Sequence, residues 1–244
     1  MSKSSVSSSA IEMFTIPVDY IKPFFGWVKE FRDDVELMVD RDKIYYSIVD
    51  NGGKVGMICS KLFVTSKNPT TFQIELDPLL KVTNTDVTYY MEGSRLLYKT
   101  ENGKHLVGTL TDPKIKESLK DVPNLTYKAE IYLEKDKISD FYNELLNIVK
   151  GFPDSPLKFK VENNILNIGV NIENEYHEFN FENVETGSED CISNFDVRYI
   201  INATKFYKNY DSIRLLLSND YPCKFEYRSD MLHTDILIAP RILD

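Results

Sequence analysis

The chain contains 244 residues, 42% of them hydrophobic and 27% charged, with a formal net charge of −9 at pH 7. This length accommodates one large domain or two of average size, and the apolar fraction suffices for a packed core. The negative balance excludes a uniformly basic protein, so any contact with nucleic acid requires a local basic surface. Residues 1–12 are rich in serine and lack the apolar segment of a signal peptide, so we expect a disordered tail there.

Apolar residues at helical spacing predict a first helix over Asp19–Arg32, with Pro23 in the early turns, where a missing N–H costs least. Two alternating strands around a polar turn follow over residues 35–48. A short helix is expected over Asp77–Lys81, where Asp77 precedes a proline and is a candidate N-cap. Further strands are predicted at residues 87–90 and 96–99.

The second half of the chain repeats this order of elements. A helix over Lys135–Val149, a hairpin over residues 157–170 and a short helix over Val197–Tyr207 are predicted from the same periodicities. Later strands are expected at residues 213–217, 224–227 and 236–238. A polar linker over residues 111–124 joins the two halves. We therefore expect an α+β protein built from two similar domains with antiparallel sheets and few helices.

Five stretches of the sequence are informative as motifs because of their composition and their order along the chain. They are SIVDNGGKV (47–55), DVPNLTYKAEIYLEKDKISDF (121–141), FDVRYIINATK (195–205), NDYPCKFEY (219–227) and HTDILIAPRILD (233–244). In these motifs the chain resembles the proliferating cell nuclear antigen family, the ring-shaped sliding clamps of archaea, eukaryotes and some of their viruses. The likeness is strongest at the C-terminus, and the first stretch has one extra residue.

The resemblance implies a DNA clamp fold, with antiparallel sheets outside and four helices lining the central hole of a ring. It implies a first clamp domain over residues 13–111, an interdomain connector over 112–126 and a second clamp domain over 127–244. Family members form head-to-tail rings, commonly of three subunits, around duplex DNA without sequence specificity. They tether polymerases, nucleases and ligases through short peptide motifs, and a clamp loader opens the ring. The resemblance implies no catalysis, no cofactor and no metal.

By position, the resemblance places basic residues on the helices that face DNA, as phosphate binding requires. These residues are Lys22, Lys29, Arg32, Lys81, Arg198, Lys205 and Lys208. For each of them, an ordinary solvated helix face is the alternative interpretation. One helix departs from the family pattern, because Asp140 and Asn143 stand where relatives carry arginines, so phosphate contact there is in doubt.

The resemblance also implies a peptide-binding pocket beneath the connector and beside the C-terminal tail, suited to aliphatic and aromatic anchors. Its lining residues are Ile48, Val55, Met57, Val122, Pro123, Tyr127, Pro222, Ile238, Ala239 and Pro240. Core packing is the alternative for Val55 and Met57. For Ala239 and Pro240 the alternative is a simple strand terminator, because proline cannot donate a ladder hydrogen bond.

Two alternating segments, residues 104–111 and 175–181, are candidate edge strands for pairing between subunits. The interface residues expected on them are Lys104, His105, Leu106, Val107, Thr109, Tyr176, His177, Phe179 and Phe181.

Other functions fit the sequence less well. The three histidines are isolated, and the segment DNGGK (50–54) lacks the pattern of a phosphate-binding loop and is a predicted turn, so we do not expect an enzyme. The cysteines Cys59, Cys191 and Cys223 are far apart, as expected for reduced thiols of an intracellular protein. Such a protein is cytoplasmic if archaeal or prokaryotic-viral and nuclear if eukaryotic. A specialised clamp remains open: a viral factor coupling replication to late transcription, or a subunit of a heterotrimeric or checkpoint ring.

Overall fold

A computed structural model describes residues 10–49, 56–81, 84–100, 103–111, 123, 125–172, 175–182, 184–185 and 188–242. The predicted turn at 50–54, the pocket residues Val55 and Val122 and most of the predicted connector lie outside these described residues. The chain divides into two compact units. The first comprises Met1–Ile48 with Cys59–Asp121, and the second comprises Val49–Ile58 with Val122–Asp244. The sequence prediction instead assigned all of residues 13–111 to the first domain.

The first half of the chain forms eight strands and two helices. They are β1 (Ile11–Ile16), α1 (Val18–Lys29), β2 (Asp34–Val39), β3 (Ile44–Val49), β4 (Gly56–Leu62), β5 (Thr70–Glu75), α2 (Leu76–Leu80), β6 (Val87–Glu92), β7 (Arg95–Thr100) and β8 (Gly103–Leu110). In the first unit the strands follow the order β1-β6-β7-β8-β5-β2-β3.

The second half has the same sequence of elements. They are β9 (Ala129–Tyr132), α3 (Lys135–Gly151), β10 (Pro156–Glu162), β11 (Ile165–Ile172), β12 (Glu175–Phe181), β13 (Cys191–Asp196), α4 (Val197–Thr204), a 3₁₀ turn (Tyr207–Asn209), β14 (Ser212–Leu217), β15 (Cys223–Arg228) and β16 (Leu232–Ile238). Each half therefore runs strand, helix, four strands, short helix, three strands. This order confirms the predicted repeat and the α+β class with antiparallel pairing.

The described residues of the second unit form two sheets, ordered β4-β16-β15-β14-β9 and β12-β11-β10-β13, and β4 belongs to this unit only over residues 56–58. The β10–β11 hairpin turns at Asn163 and Asn164, both with positive φ (53° and 62°), the conformation favoured by tight two-residue hairpin turns. Gly56 opens β4 with φ 140°, and an added Cβ there would lie 1.5 Å from the Leu237 carbonyl oxygen. Only glycine fits where β4 meets β16.

Each unit buries the apolar face of its long helix. In α1 the side chains of Ile21, Phe24, Phe25 and Val28 are at most 1% exposed, which follows from their spacing on one side of the helix. In α3 the corresponding residues are Ile138, Phe141, Leu145 and Ile148. The charged residues that the sequence analysis singled out on these helices, Lys22, Lys29 and Asp140, lie outside these buried faces.

Three predicted boundaries need correction. Strand β1 begins at Ile11, so residues 11 and 12 belong to a strand and not to a disordered tail. Glu75, not Asp77, is the N-cap of α2, and Asp77 lies in the first turn of the helix. Helix α4 ends at Thr204, where the threonine hydroxyl donates to the Ile200 carbonyl, and the chain then enters the 3₁₀ turn.

Candidate functional site

The C-terminal end of β16 meets the start of β15 in the second unit. Cys223 pairs with Ile238, so Pro222 and Ala239 are the next residues beyond the paired strands. Pro222, Ala239 and Pro240 are all partly exposed, whereas Ile238 is 1% exposed and belongs to the core. Because proline has no N–H, Pro222 and Pro240 cannot extend the ladder, and the strands stop there.

Tyr127 lies in the same unit and is half-buried. Its ring meets that of Tyr221 edge to face, with 6.2 Å between centroids. Its hydroxyl is buried and has no hydrogen-bond partner among the described residues. Burial, followed by the nearby Cys223, Tyr221, Glu226 and Asp235, raises the pKa of Tyr127 well above its ordinary value. The side chain therefore presents a neutral phenol that can still form a hydrogen bond.

Two leucines on the outward side of the second unit's first sheet were missed by the sequence analysis. The strand register places Leu216, Lys224 and Leu237 side by side on β14, β15 and β16. Leu216 and Leu237 are 8% and 6% exposed, although they share this side with charged residues. The signal was present in the run Ile236–Ile238, because an apolar residue between two inward-facing ones must point outward in a strand.

The segment after Pro240 is fastened to the second unit. The Arg241 N–H donates to the Asn194 carbonyl at 2.7 Å, and the Arg241 guanidinium donates to the Asp154 carbonyl. Ala239 and Pro240 are consequently held between the end of β16 and these two anchors. We call Tyr127, Pro222, Ala239 and Pro240 the C-terminal surface.

The other predicted pocket residues have different surroundings. Ile48 is 5% exposed in β3 and belongs to the first unit. Met57 belongs to the second unit and is 8% exposed, so it offers little surface to a partner. Pro123 is exposed.

The predicted DNA-facing cations fall into two groups in the structure. The first group is held by carboxylates. Lys29 Nζ lies 2.6 Å from Asp77 Oδ1 and also forms an ion pair with Asp33. Arg32 pairs with Asp34 at 3.0 Å. The Asp33 hydrogen bond, then that of Asp77, raises the pKa of Lys29, and Lys29 in turn lowers the pKa of Asp77.

Arg198 shows the same behaviour in the second unit. Its guanidinium lies 2.7 Å from Asp196 Oδ2 and 3.5 Å from Asp154 Oδ1. Asp196 is the N-cap of α4, and its Oδ1 also accepts the Arg198 backbone N–H at 2.9 Å. Burial would raise the pKa of Asp196, but hydrogen bonds from Arg198 outweigh it and lower that pKa.

The second group consists of exposed lysines. Within the described part of the chain, Lys22, Lys81 and Lys208 form no salt bridge, although Lys81 lies close enough to Asp77 to lower the pKa of that carboxyl. Lys205 is exposed and its ammonium lies 5.7 Å from the centre of the Phe206 ring. On α3, Asp140 and Asn143, the two positions at which the resemblance implied arginines, are exposed.

The predicted edge strands agree only in part with the sheets. Strand β12 is the outer strand of its sheet, with Tyr176 57% exposed, whereas Phe181 is 3% exposed and packs on Phe141. Phe179 is half-buried against Phe141. Beside it, His177 Nδ1 lies 3.8 Å from Glu144. The side chain of Phe181 therefore offers little surface to a second subunit, and its place in a subunit interface stays a prediction.

Strand β8 is an edge over only part of its length. It pairs with β7 along Gly103–Thr109, and Gly108–Leu110 pairs on the other side with β5. Thr109 thus has strands on both sides, and Val107 is 1% exposed, so neither is a free edge position. Lys104, His105 and Leu106 precede the β5 pairing. Leu106 is 51% exposed and His105 stacks on Tyr98 at 4.9 Å.

Across the described residues, no group of three or more His, Cys, Asp and Glu side chains is arranged to hold a metal ion. The helices that the structure describes include none with the length and apolar character needed to cross a membrane.

Comparison with known proteins shows the fold. No protein-family model matches the sequence, and no curated protein matches it either. Among solved structures, the chain is similar to A. fulgidus PCNA bound to the C-terminal region of FEN-1. The TM-score is 0.81 at 17% identity, and the match covers 96% of this chain and 100% of that one. The chain is also similar to the Entamoeba histolytica proliferating cellular nuclear antigen, with a TM-score of 0.77 at 16% identity, covering 95% of this chain and 98% of that one. For the PCNA2–PCNA3 complex from Sulfolobus tokodaii the TM-score is 0.73 at 16% identity, covering 95% of this chain and 99% of that one. The chain has the sliding-clamp fold.

Proposed function

We propose that this chain is a subunit of a DNA sliding clamp, which encircles duplex DNA as a head-to-tail ring and tethers replication and repair proteins. The observation that carries the proposal is the clamp fold over 96% of the chain, with the same order of strands and helices in both halves. A clamp needs no chemistry of its own. A polymerase held to a topologically linked ring rebinds at high effective concentration instead of dissociating.

The C-terminal surface supports the partner-binding part of the proposal. It combines two prolines, an alanine and a half-buried tyrosine whose buried hydroxyl has no hydrogen-bond partner among the described residues. Apolar grooves with few polar groups suit short peptides with aliphatic or aromatic anchors. We place the clamp loader, polymerases, nucleases and ligases among its peptide partners, and the protein inside the cell, in the nucleus if the source is eukaryotic.

Retention on DNA tests the main proposal. The purified chain is loaded onto a nicked circular plasmid with a clamp loader and separated from free protein by gel filtration. We expect the chain to elute with the circle and to be released when a restriction enzyme linearises it, because a ring slides off a free end. Equal retention on circular and linear DNA contradicts encirclement.

The peptide surface is tested by Pro240→Asp. We expect this change to weaken binding of the FEN-1 C-terminal peptide by at least about tenfold, because a charge would be desolvated beside the anchoring side chains. The exposed Pro69 offers a matched control, since Pro69→Asp makes the same chemical change in the first unit. Isothermal titration calorimetry measures both. Unchanged affinity for Pro240→Asp removes the C-terminal surface from the proposal.

A specialised clamp is the second candidate, favoured by the carboxylates that hold Lys29, Arg32 and Arg198 and by Asp140 on α3. Such a chain grips DNA weakly alone and works with other subunits. Solution mass separates the two candidates. A stable trimer supports the homotrimeric clamp, and a persistent monomer at micromolar concentration supports a ring with partner subunits or one that assembles only on DNA.

A further inference from the structure

We infer that Asp77 and Asp154 act as intramolecular substitutes for DNA phosphates, so that duplex DNA must displace them before Lys29 and Arg198 can bind its backbone. This inference rests on the proposed function. The sequence analysis considered only the cations that could bind DNA. The inference adds that these two carboxylates help to set the affinity of the clamp for DNA.

The geometry in the first unit carries the argument. Lys29 lies in the last turn of α1 and Asp77 in the first turn of α2, and the two atoms are 2.6 Å apart. Asp77 also lies near Lys81, at the end of the same short helix. One carboxylate thus pairs with Lys29 and lies near Lys81, two of the lysines expected to face DNA. Its position beside an ammonium group is the position that a phosphate oxygen takes in a charge-assisted hydrogen bond.

The second unit contains a counterpart built from different residues. Arg198 lies in the first turn of α4, and Asp154 lies in the segment between α3 and β10. Arg198 Nη2 lies 3.5 Å from Asp154 Oδ1, and the same nitrogen lies 2.7 Å from Asp196 Oδ2. In both units, therefore, a helix-borne cation is paired with a carboxylate from a separate element of the unit.

Exposure shows that these pairs can exchange with a ligand. The side chains of Asp77 and Asp154 are 64% and 78% exposed, and those of Lys29 and Arg198 are 32% and 51% exposed. Exposed ion pairs are individually weak, because water and salt screen them. A DNA phosphate can replace the carboxylate, but this replacement releases fewer counterions than binding of a phosphate to an unpaired cation does. We therefore expect the chain to bind DNA weakly, with an affinity that depends little on salt. Weak binding of this kind favours sliding along the duplex.

Asp77→Asn tests this inference, because it keeps the shape of the side chain and removes the charge. Binding of the full-length chain to a fluorescent linear duplex is measured by anisotropy across a salt series. We expect tighter binding and a plot of log affinity against log salt that steepens by about 0.9 for each additional phosphate neutralised. For one phosphate, the ratio of affinities at about 50 mM and about 200 mM salt then rises roughly threefold.

Asp42→Asn is the matched control. Asp42 is also an exposed aspartate beside a lysine, at 3.9 Å from Lys43, but it lies in the β2–β3 turn and not on a helix. We expect Asp42→Asn to bind DNA like the unsubstituted chain. An equal gain for Asp42→Asn and Asp77→Asn shows a general effect of net charge and overturns the inference.

Lys29→Gln in the Asp77→Asn background separates masking from direct repulsion of DNA by Asp77. We expect it to remove at least half of the gain, because Lys29 is the main cation that Asp77 holds. An undiminished gain overturns the inference. Asp154→Asn provides an independent variant in the second unit if Asp77→Asn misfolds by circular dichroism. There we also expect a gain, although Arg198 keeps Asp196 just as Lys29 keeps Asp33, and no gain overturns the inference.

A failure of the proposed function can be distinguished from a failure of the masking role. If the unsubstituted chain is not retained on circular DNA, the proposed function fails. If it is retained and Asp77→Asn binds linear duplex with unchanged affinity and salt slope, only the masking role fails.

Discussion

Each unit buries a pair of neighbouring tyrosines, but the hydroxyl groups are satisfied differently. In the first unit Tyr89 and Tyr98 have ring centroids 6.1 Å apart, and in the second Tyr210 and Tyr227 are 5.1 Å apart. The second member of each pair lies on the middle strand of the final three and donates to a carbonyl of the short helix, Pro78 at 2.9 Å or Ala203. The fold thus fastens the short helix in the same way twice.

The first members of the pairs differ. The Tyr210 hydroxyl shares a hydrogen bond with Thr234 Oγ1 at 2.8 Å. The Tyr89 hydroxyl, in contrast, is buried with no partner among the described residues. Burial, with a smaller effect of Tyr98, raises the pKa of Tyr89 far above its ordinary value. In each unit an aromatic ring packs against the tyrosine of the middle strand, whereas the hydroxyl group of that ring contributes only where a partner is present.

The outward sides of the last three strands differ as well. In the second unit Arg214 and Glu226 lie opposite each other, and Glu226 also pairs with Lys224 at 2.6 Å. The network continues from Arg214 to Glu130 and from Lys224 and Arg228 to Asp235. On the corresponding strands of the first unit, Lys104 pairs with Glu92 at 3.3 Å. The side chain of Glu226 is 9% exposed and that of Glu92 is 29% exposed, so the Glu226 carboxylate is better shielded from water.

Among matched changes in the two units, we expect Glu226→Gln to cause the largest loss of stability. We expect it to lower the free energy of unfolding by about 2 kcal/mol, because it leaves cations beside a buried, neutral group while Asp235 and Glu130 still compensate in part. The matched change Glu92→Gln in the first unit should cost less than about 1 kcal/mol, since that pair is exposed to solvent. Urea unfolding followed by circular dichroism measures both. Equal losses contradict the difference in shielding.

The same variant gives a pH dependence. Burial alone would raise the pKa of Glu226, but hydrogen bonds from Lys224 and Arg214 lower it below the ordinary value of 4.5. Its stabilisation is therefore complete above that value and is lost as the pH falls through the lower pKa of the folded state. The stability gap between the unsubstituted chain and Glu226→Gln should stay constant from neutral pH to about pH 5 and shrink below it. A gap that persists at the most acid pH would disprove this.

Tyrosine to phenylalanine changes should give the smallest stability differences between the two units. Tyr210→Phe should lower the free energy of unfolding by about 1 to 2 kcal/mol, because the buried Thr234 loses a partner for its hydroxyl. Tyr89→Phe should change it by less than about 0.5 kcal/mol or stabilise the chain, because it removes a buried hydroxyl that has no described partner. Each variant is the control for the other in urea unfolding. A clear loss for Tyr89→Phe implies a partner for that hydroxyl.

Much of the fold was predictable from local patterns. Helix α3 begins at Lys135 as predicted, and the hairpins at 35–48 and 157–170 are present, because helical and alternating periodicities are properties of neighbouring residues. The opening strands β1 and β9 were missed. The sequence IEMFTI follows a serine-rich stretch and was assigned in part to the tail, and AEIY is too short for alternation to identify.

The candidate site was less predictable. Position in the motif located Tyr127, Pro222 and Pro240, but Leu237 was overlooked because its outward orientation depends on the register of β16 with β15. Val107, Thr109 and Phe181 were assigned to subunit edges because alternation alone does not show on which side a strand is paired. A second strand or the core covers each of them.

The sequence by itself determined the repeated order of helices and strands, the hairpin turns and the apolar faces of the long helices, because spacing along the chain is enough to specify them. Only the tertiary structure decided which cations are available. Lys29 and Asp77, or Arg198 and Asp154, are far apart in sequence, and folding places their charges within 4 Å. A lysine on a helix face is a potential phosphate ligand, but its neighbours in space determine whether a carboxylate already occupies that place.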